Sequence, residues 1–336
     1  MYNLLKSFGG ISWERELLED TVNLMELTEP RGEAREKEFE EKLAVCDILQ
    51  TDIFTKIDEE LLKKAPNLKA IFCTSSGIDY VDVDAATKRG ILVANNPDFC
   101  ALSVAEFTMG LIYGLLRHIP EGSAKARSGQ WYARRGMCGT EIFGKTLGII
   151  GFGKIGKEVA RQALGIGMQV RAYSPSLCRA GSSLQQVKVM DLDSLLRTSD
   201  VVTIHVPLTE QTLNLIGARE MGLMKADAFL INVSRGGIVD EDALCGCLEA
   251  GELAGAALDV LAEEPANTNM RLMNYSGDNL IITPHVAWFT SEAVARQCSF
   301  FVEQVKDFAA GRCPAAVVNN VIKDEKEKGE ENANTF

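Results

Sequence analysis

The sequence predicts an α/β protein with two parallel, doubly wound sheets in two domains, and three observations support this prediction. Short apolar segments alternate with helical segments along most of the chain, which is typical of a parallel sheet covered on both faces. The length of 336 residues fits about two domains. Hydrophobic residues make up 46% of the chain and charged residues 24%, which excludes extensive disorder or a fibrous repeat.

The first hundred residues contain helices and buried strands. Apolar residues have helical spacing at 33–45 and 58–64, and continuous apolar runs predict strands at 68–74 and 91–97. The first of these strands leads into the polar loop Ser75-Ser76-Gly77. Residues 103–116 have the periodicity of a long linking helix.

From residue 144 the alternation becomes regular, which favours a second parallel sheet. The predicted strands of this region are 146–150, 169–173, 201–206, 228–233, 254–258 and 280–282, and the predicted helices are 156–164, 192–198, 241–250 and 291–311. Residues 323–336 are charged and almost free of apolar side chains, so we expect a disordered acidic tail.

Composition and charge exclude several classes of function. The formal net charge of −12 disfavours nucleic-acid binding, and no apolar run approaches the roughly 18 residues that span a bilayer. The N-terminus has no features of a secretion signal. The nine cysteines form no C-x-x-C pair, and none of the three histidines lies in a cluster with metal-ligand spacing. We therefore expect a cytoplasmic protein with reduced thiols, without a metal ion and without a nucleic-acid or membrane partner.

A glycine-rich turn, Gly151-Phe-Gly-Lys-Ile-Gly156, joins a predicted strand to a predicted helix. In this context Gly151 permits a tight turn, Gly153 lets a pyrophosphate approach the backbone, and Gly156 lets the helix pack on the strand. The free amides at the start of the helix would bind the phosphates. The motif predicts a Rossmann-type dinucleotide-binding domain.

The second strand of this domain ends at Ser174, and no carboxylate occurs between Glu158 and Asp191. An NAD site usually has an acidic residue here, which binds the ribose 2′-hydroxyl and disfavours a 2′-phosphate. Ser174, Ser176 and Arg179 could instead hydrogen-bond that phosphate. NADP is therefore expected beside NAD, and the alternative is that a serine accepts the 2′-hydroxyl of NAD.

Three later segments each follow a predicted strand: 232–237 (NVSRGG), 258–265 (LDVLAEEP) and 283–285 (TPH). With the glycine turn and residues 199–208 and 228–244, they resemble the D-isomer-specific 2-hydroxyacid dehydrogenases, in matching order from about residue 68 to 319. The resemblance implies a smaller, flavodoxin-like substrate domain, residues 1–98 and 290–322. The dinucleotide-binding domain, residues 99–289, would be inserted into it, and the protein would form a homodimer.

The resemblance makes Arg235, Glu264 and His285 the catalytic residues. Reduction of a 2-oxo acid needs a proton at the carbonyl oxygen, and histidine exchanges protons near neutral pH. A neighbouring carboxylate would stabilise the imidazolium, and the arginine fork would bind the substrate carboxylate and polarise the carbonyl. Glu264 is chosen over Glu263 because the family places its acid directly before the proline.

Other residues are assigned by the same resemblance. The loop Ser75, Ser76 and Gly77 would hold the substrate carboxylate, and Trp288 would limit the pocket to small substrates such as glyoxylate or hydroxypyruvate. Asp259 would bind the nicotinamide carboxamide, and His205 and His118 would be structural. The remaining cofactor contacts would come from Thr108, Lys154, Ile155, Val206, Pro207, Val233 and Ser234. The family usually begins with an apolar strand, for which residues 1–5 are a poor substitute, so we expect the first element to be short or differently placed.

The leading interpretation is an oxidoreductase that uses NAD(P)H to reduce a small 2-oxo acid to the D-2-hydroxy acid. The alternative is a dinucleotide-responsive regulatory protein, since the family also includes the C-terminal-binding corepressors. Members of that branch can retain the same three catalytic residues, so the motifs leave both readings open.

Overall fold

The computed structural model describes residues 1–8, 13–175, 186–319 and 321. The chain divides into two compact units, Met1–Phe99 with the described residues from Ser291 onward, and Cys100–Thr290. The expected acidic tail, 323–336, lies outside the described residues, as do Ser176 and Arg179. Within the described ranges, no helix combines the length and the apolar character needed to cross a membrane.

The first unit contains a five-stranded parallel sheet in the order β2-β1-β3-β4-β5. Its strands are β1 (Tyr2–Lys6), β2 (Val22–Met25), β3 (Ile48–Thr51), β4 (Ala70–Cys73) and β5 (Leu92–Ala94). Its helices are α1 (Trp13–Leu18), α2 (Glu33–Leu43), α3 (Glu59–Lys63), α4 (Val83–Lys88) and the C-terminal α11 (Ser291–Ala309). Buried apolar side chains cover both faces, and on one face Phe301 of α11 packs edge-on against Phe72 of β4.

The prediction for the N-terminus was wrong, because β1 is as long as any strand of its sheet and pairs with both β2 and β3. Leu4 and Leu5 are fully buried. Lys6 follows them, is only 2% exposed and forms a 2.6 Å ion pair with Glu14 of α1. A lysine at a buried position makes this strand difficult to predict, because the residue that balances its charge, Glu14, lies outside the strand.

The second unit contains a seven-stranded parallel sheet in the order β12-β11-β10-β9-β6-β7-β8. Its strands are β6 (Thr146–Ile150), β7 (Gln169–Tyr173), β8 (Val187–Val189), β9 (Val201–Ile204), β10 (Phe229–Asn232), β11 (Gly255–Leu258) and β12 (Leu280–Ile282). Its helices are α5 (Ala101–Leu116), α6 (Ile119–Arg127), α7 (Lys154–Gly165), α8 (Leu192–Thr198), α9 (Ala218–Met221) and α10 (Glu241–Ala250). Two parallel α/β sheets confirm the predicted fold class.

The strand order of the second unit reverses at β6, which pairs with β7 on one side and with β9 on the other. Ligands of open α/β sheets bind beyond the carboxyl ends of the strands at such a switch point. The segments singled out in the sequence follow β6, β9, β10, β11 and β12 at this edge. The fold therefore gathers them at the position where a dinucleotide is expected.

Candidate functional site

The glycine turn between β6 and α7 depends on the absence of side chains at two positions. Gly151 has a φ of +95°, and a Cβ there would lie 2.5 Å from the carbonyl oxygen of His205. A Cβ on Gly156 would lie 2.2 Å from the carbonyl oxygen of Gly151. Gly153 precedes α7, and a Cβ there would meet nothing within 4 Å. Two glycines thus shape the turn, while the third leaves the start of the helix open.

The residues around this turn could hold a dinucleotide. Lys154 and Ile155 are the first residues of α7, whose amides and dipole favour phosphate. Val206 follows β9 and packs against Gly151, with Pro207 next to it in the chain. Ser174 directly follows β7 and is half-buried. The fit is therefore consistent with a pyrophosphate on the turn and a ribose near Ser174.

His205 lies beside the turn but is poorly suited to acid–base work. Its Nε2 is 3.0 Å from the hydroxyl of Thr203, and its Nδ1 is shielded from solvent without a hydrogen-bond partner among the described residues. Burial lowers the pKa of His205 to about 3, so the ring is neutral near pH 7. These contacts agree with the structural role expected from the sequence.

Asn232, at the end of β10, organises the segment that carries Arg235. The fully buried Asn232 amide donates to the carbonyl of Arg235 at 2.8 Å and accepts from the backbone and hydroxyl of Ser234. A Cβ on Gly236 would lie 1.9 Å from the carbonyl carbon of Leu261, so this turn packs directly on the backbone that follows β11. The role of Asn232 was not predicted from the sequence, although its place at the end of a strand before Ser234 and Arg235 was a usable signal.

Asp259 connects the end of β11 to the turn that carries His285. Its carboxylate accepts hydrogen bonds from the hydroxyl of Thr283 at 2.6 Å, the amide of Val286 at 3.0 Å and the amide of Ala287 at 2.8 Å. Burial raises the pKa of Asp259, and these three donors oppose that rise by favouring the carboxylate. Its described hydrogen bonds therefore fix the turn at residues 283–287.

His285 and Glu264 are in direct contact. Nδ1 of His285 lies 2.6 Å from Oε2 of Glu264, and Oε1 of the same carboxylate accepts from the amide of Leu261 at 2.9 Å. The two side chains are 15% and 22% exposed. His285 has a φ of +55°, and its amide donates to the carbonyl of Asp259 at 2.8 Å. The pair can thus present the outer nitrogen of the imidazole while the inner nitrogen is held by a carboxylate.

Three further predicted residues lie in this unit. Arg235 is half-buried, and its guanidinium donates to the carbonyl of Ser234 at 2.9 Å. Trp288 is half-buried and packs edge-on against Phe289. Thr108 is fully buried in α5, where its hydroxyl donates to the carbonyl of Val104 at 2.7 Å. The Thr108 hydroxyl is therefore used within the helix, whereas Arg235 and Trp288 are accessible to solvent.

The loop Ser75–Gly77, after β4 of the first unit, shows an asymmetry between its backbone donors and acceptors. Every carbonyl of residues 74–77 accepts a hydrogen bond. The donors are Gln297 Nε2 to Thr74 (2.9 Å), the amide of Asn96 to Ser75 (3.1 Å), Asn95 Nδ2 to Ser76 (2.8 Å) and Ser75 Oγ to Gly77 (2.7 Å). The amides of residues 75–77 make no hydrogen bond to any described residue. Consecutive amides without a protein partner can bind an anion where they converge on one point.

The donors that shape this loop were not identified from the sequence. The consecutive asparagines Asn95 and Asn96 at the end of β5 offered a signal, because side chains at strand ends reach the carboxyl edge. Gln297 offered none, since it lies in α11, 223 residues from Thr74. For a metal, no group of three His, Cys, Asp or Glu residues with suitable geometry occurs in the part of the chain that the structure describes.

The chain is similar to known proteins over most of its length. The model of the NAD-binding domain of D-isomer specific 2-hydroxyacid dehydrogenases matches residues 109–287. A D-3-phosphoglycerate dehydrogenase of Methanocaldococcus jannaschii is 38% identical over 90% of this chain and 58% of its own length. A glyoxylate reductase of Thermococcus litoralis is 38% identical over 84% of this chain and 86% of its own length.

Solved structures also match the fold of this chain. The crystal structure of a D-lactate dehydrogenase from Aquifex aeolicus, complexed with NAD and lactic acid, superposes with a TM-score of 0.82 at 30% identity, covering 94% of this chain and 98% of that one. The chain spans only about half the length of the phosphoglycerate dehydrogenases it matches. The matched domain covers more than half of the chain, and the glyoxylate reductases are matched over most of their length. This chain belongs to the D-isomer-specific 2-hydroxyacid dehydrogenase family.

Proposed function

We propose that this protein uses NADH or NADPH to reduce a small 2-oxo acid to the D-2-hydroxy acid. The observation that carries the proposal is the 2.6 Å contact between His285 and Glu264 at the carboxyl edge of a dinucleotide-binding sheet. The relatives reported above are named as dehydrogenases and reductases. Nothing in the structure or among those relatives supports the corepressor-like alternative.

His285 is proposed to donate the proton in this reaction. A bound reduced nicotinamide supplies the hydride to the carbonyl carbon. His285 protonates the carbonyl oxygen from Nε2, since Nδ1 is engaged by Glu264. The Glu264 carboxylate holds the orientation of the ring through its contact with Nδ1. Arg235 contributes a planar set of donors that binds the substrate carboxylate and polarises the carbonyl.

The cofactor is proposed to lie with its pyrophosphate on the glycine turn and its adenosine ribose near Ser174. A serine neither repels a 2′-phosphate nor demands a 2′-hydroxyl, so both NADH and NADPH would be accepted. A comparison of kcat/KM for the two cofactors tests this part. A preference of tenfold or more for NADH would contradict acceptance of NADPH as an equivalent cofactor.

The substrate carboxylate is proposed to bind the open amides of the Ser75–Gly77 loop. Trp288 lies three residues after His285, and its bulky indole favours short substrates at that ring. Glyoxylate and hydroxypyruvate are therefore the favoured candidates.

We also propose that the protein is a cytoplasmic homodimer. Trp131, Tyr132 and Phe143, which follow the linking helix, are each more than 70% exposed, and apolar surface of this kind favours association. The eight cysteines that the structure describes are all free thiols, which suits a reducing compartment. Sedimentation of the purified protein tests the dimer.

The His285→Gln variant tests the proposed chemistry. With glyoxylate and NADPH, followed by the absorbance of the reduced nicotinamide, turnover should fall by about 10²-fold or more, because glutamine cannot transfer a proton. NADPH binding, measured by fluorescence titration, should change little. His118→Gln is the matched control, since His118 pairs with Glu121 in another part of the unit. Unchanged turnover in His285→Gln would exclude His285 as the acid.

A further inference from the structure

We propose that Tyr80 is a positioning residue whose hydroxyl orients the Ser75–Gly77 loop for the substrate carboxylate. The inference rests on the proposed function, because it assigns a role to a residue that supports the proposed substrate loop. Tyr80 lies just beyond the loop, and its hydroxyl is 2.9 Å from Ser75 Oγ.

The number of protons on the two hydroxyls fixes the direction of their hydrogen bond. Ser75 Oγ is 2.7 Å from the carbonyl of Gly77, and a carbonyl can only accept, so the single Ser75 proton is used there. The bond between Ser75 and Tyr80 must then use the phenol proton. The order is therefore Tyr80 to Ser75 to Gly77, and each hydroxyl donates once.

The surroundings keep Tyr80 in its donating form and in place. Burial raises the pKa of Tyr80 above its usual value, so the phenol stays protonated throughout the working pH range. The carbonyl of Tyr80 accepts from the amide of Ile57 at 2.8 Å, which ties its backbone to a neighbouring segment. The neighbouring Cys73 thiol is also uncharged, since burial raises its pKa to about 12. The charge of Asp52 also raises the pKa of Tyr80, which further favours the donating form of the phenol.

The hydrogen bonds from Tyr80 to Ser75 and from Ser75 to Gly77 affect the amides of the loop. The bond from Ser75 to Gly77 spans two residues and holds the Gly77 carbonyl toward the Ser75 side chain. The other loop carbonyls are held by Gln297, Asn96 and Asn95, so all four acceptors of residues 74–77 are taken and the amides of residues 75–77 stay open. Without the phenol, the Ser75 hydroxyl loses the donor that fixes its rotamer, and the Gly77 carbonyl is free to turn.

The test uses Tyr80→Phe, Ser75→Ala and the double variant in the full-length protein, with Tyr2→Phe as control. Tyr2 lies in the same unit, and its hydroxyl makes no hydrogen bond to a described residue, so its variant should match the wild type. For Tyr80→Phe we expect KM for glyoxylate to rise about fivefold to tenfold. The kcat should stay within about twofold and the KM for NADPH should not change, because the effect is on ground-state binding of one substrate.

The double variant separates positioning from a merely structural role. If Tyr80 acts through Ser75, the double variant should have the same KM as Ser75→Ala, since the second substitution removes a bond already lost. Multiplied effects would overturn the proposal, as would an unchanged KM in either single variant. Ser75→Ala also keeps the proposal testable if Tyr80→Phe fails to fold.

A binding measurement distinguishes failure of this inference from failure of the proposed function. If the wild type reduces no 2-oxo acid, the proposed function is wrong. Calorimetric titration with oxalate then still tests the loop, because oxalate presents the same carboxylate without a reaction. A fivefold to tenfold weaker oxalate affinity in Tyr80→Phe supports the proposal, and equal affinities overturn it.

Discussion

The glycine turn of the second unit and the serine loop of the first are shaped by opposite means. Both follow a buried parallel strand, β6 in one case and β4 in the other. At the glycine turn, Gly151 and Gly156 create the shape by omitting side chains that would strike backbone oxygens. At the serine loop, side-chain donors bond to the carbonyls of Thr74, Ser76 and Gly77, and the amides of residues 75–77 bond to no described residue.

This difference determines which substitutions each of the two regions tolerates. The glycine turn needs glycine at Gly151 and Gly156, because a side chain there would meet backbone atoms of the turn itself and of His205. The serine loop depends on hydrogen-bond partners distant in sequence, such as Gln297. Substitutions should therefore be severe and steric at the turn, and moderate and graded at the loop.

The largest effect is expected for Gly156→Ala. The new methyl group would lie 2.2 Å from the Gly151 carbonyl oxygen, so α7 must move away from β6. Overpacking of this kind costs about 1–3 kcal/mol, which corresponds to a fall in Tm of about 2–12 °C for a unit of this size. NADPH binding should be lost with it. Scanning calorimetry and fluorescence titration measure the two effects.

Gly165→Ala is the matched control for that variant. Gly165 ends the same helix, and a Cβ there would meet nothing within 4 Å. Its Tm and NADPH affinity should equal those of the wild type or rise slightly, because alanine is the better helix former. Equal stability of Gly156→Ala and Gly165→Ala would contradict a sterically determined turn.

Gly153→Ala should separate binding from folding. In the protein alone a Cβ at Gly153 has open space, so the Tm should stay within about 1 °C of the wild-type value. The same methyl group would occupy the space through which a pyrophosphate approaches the backbone, so NADPH affinity should fall about tenfold or more. Thermal melting and titration of one preparation provide both values. Undiminished affinity would show that the phosphates bind elsewhere.

The two regions should also respond differently to acid. The pKa of His205, beside the glycine turn, is lowered by burial to about 3, whereas an unfolded histidine titrates near 6.5. Between these two pH values, His205 binds a proton in the unfolded chain but stays neutral in the folded chain. The stability that His205 contributes above pH of about 6.5 is therefore lost progressively as the pH falls toward 3. The hydroxyls of Tyr80 and Ser75 carry no charge in this range.

Urea unfolding at a series of pH values measures this contribution. His205→Gln can retain the bond to Thr203 but has no proton to bind, so its unfolding midpoint should fall less between about pH 7 and pH 4 than that of the wild type. A smaller fall in the variant would assign part of the acid sensitivity of the protein to the residue beside the glycine turn. Parallel curves for the two proteins would show that His205 is protonated in the folded state.

The sequence predicted the glycine turn well and the serine loop poorly for the same physical reason. Glycine acts through local geometry, so the motif Gly151-Phe-Gly-Lys-Ile-Gly156 can be interpreted from the sequence alone. The carbonyl donors of the loop come from other elements, and Gln297 has no local feature that assigns it to Thr74. Likewise β1 was missed because the charge of Lys6 is balanced by Glu14 only in the folded protein.

The residues of the candidate site also differ in how well the sequence predicted them. The contact between Glu264 and His285 could be predicted because the family resemblance aligned both residues at once. The supporting groups could not, since the roles of Asn232 and Asp259 depend on which backbone groups approach them. Residues that touch a ligand often belong to motifs, whereas residues that hold those motifs are defined by contacts.

The smallest effect is expected for Asn95→Ala at the serine loop. Asn95 Nδ2 donates to the Ser76 carbonyl at 2.8 Å, and the bond is exposed, so water can replace the lost donor. The Ser76 peptide should then turn part of the time, and KM for glyoxylate should rise about twofold to threefold with kcat unchanged. Asn67→Ala removes an equally exposed amide bond, to the carbonyl of Ala44 in the same unit, and should leave KM unaltered. A rise as large as that expected for Tyr80→Phe would mean that the loop carbonyls act as one cooperative unit, whereas no rise at all would show that Ser75, Asn96 and Gln297 suffice to hold it.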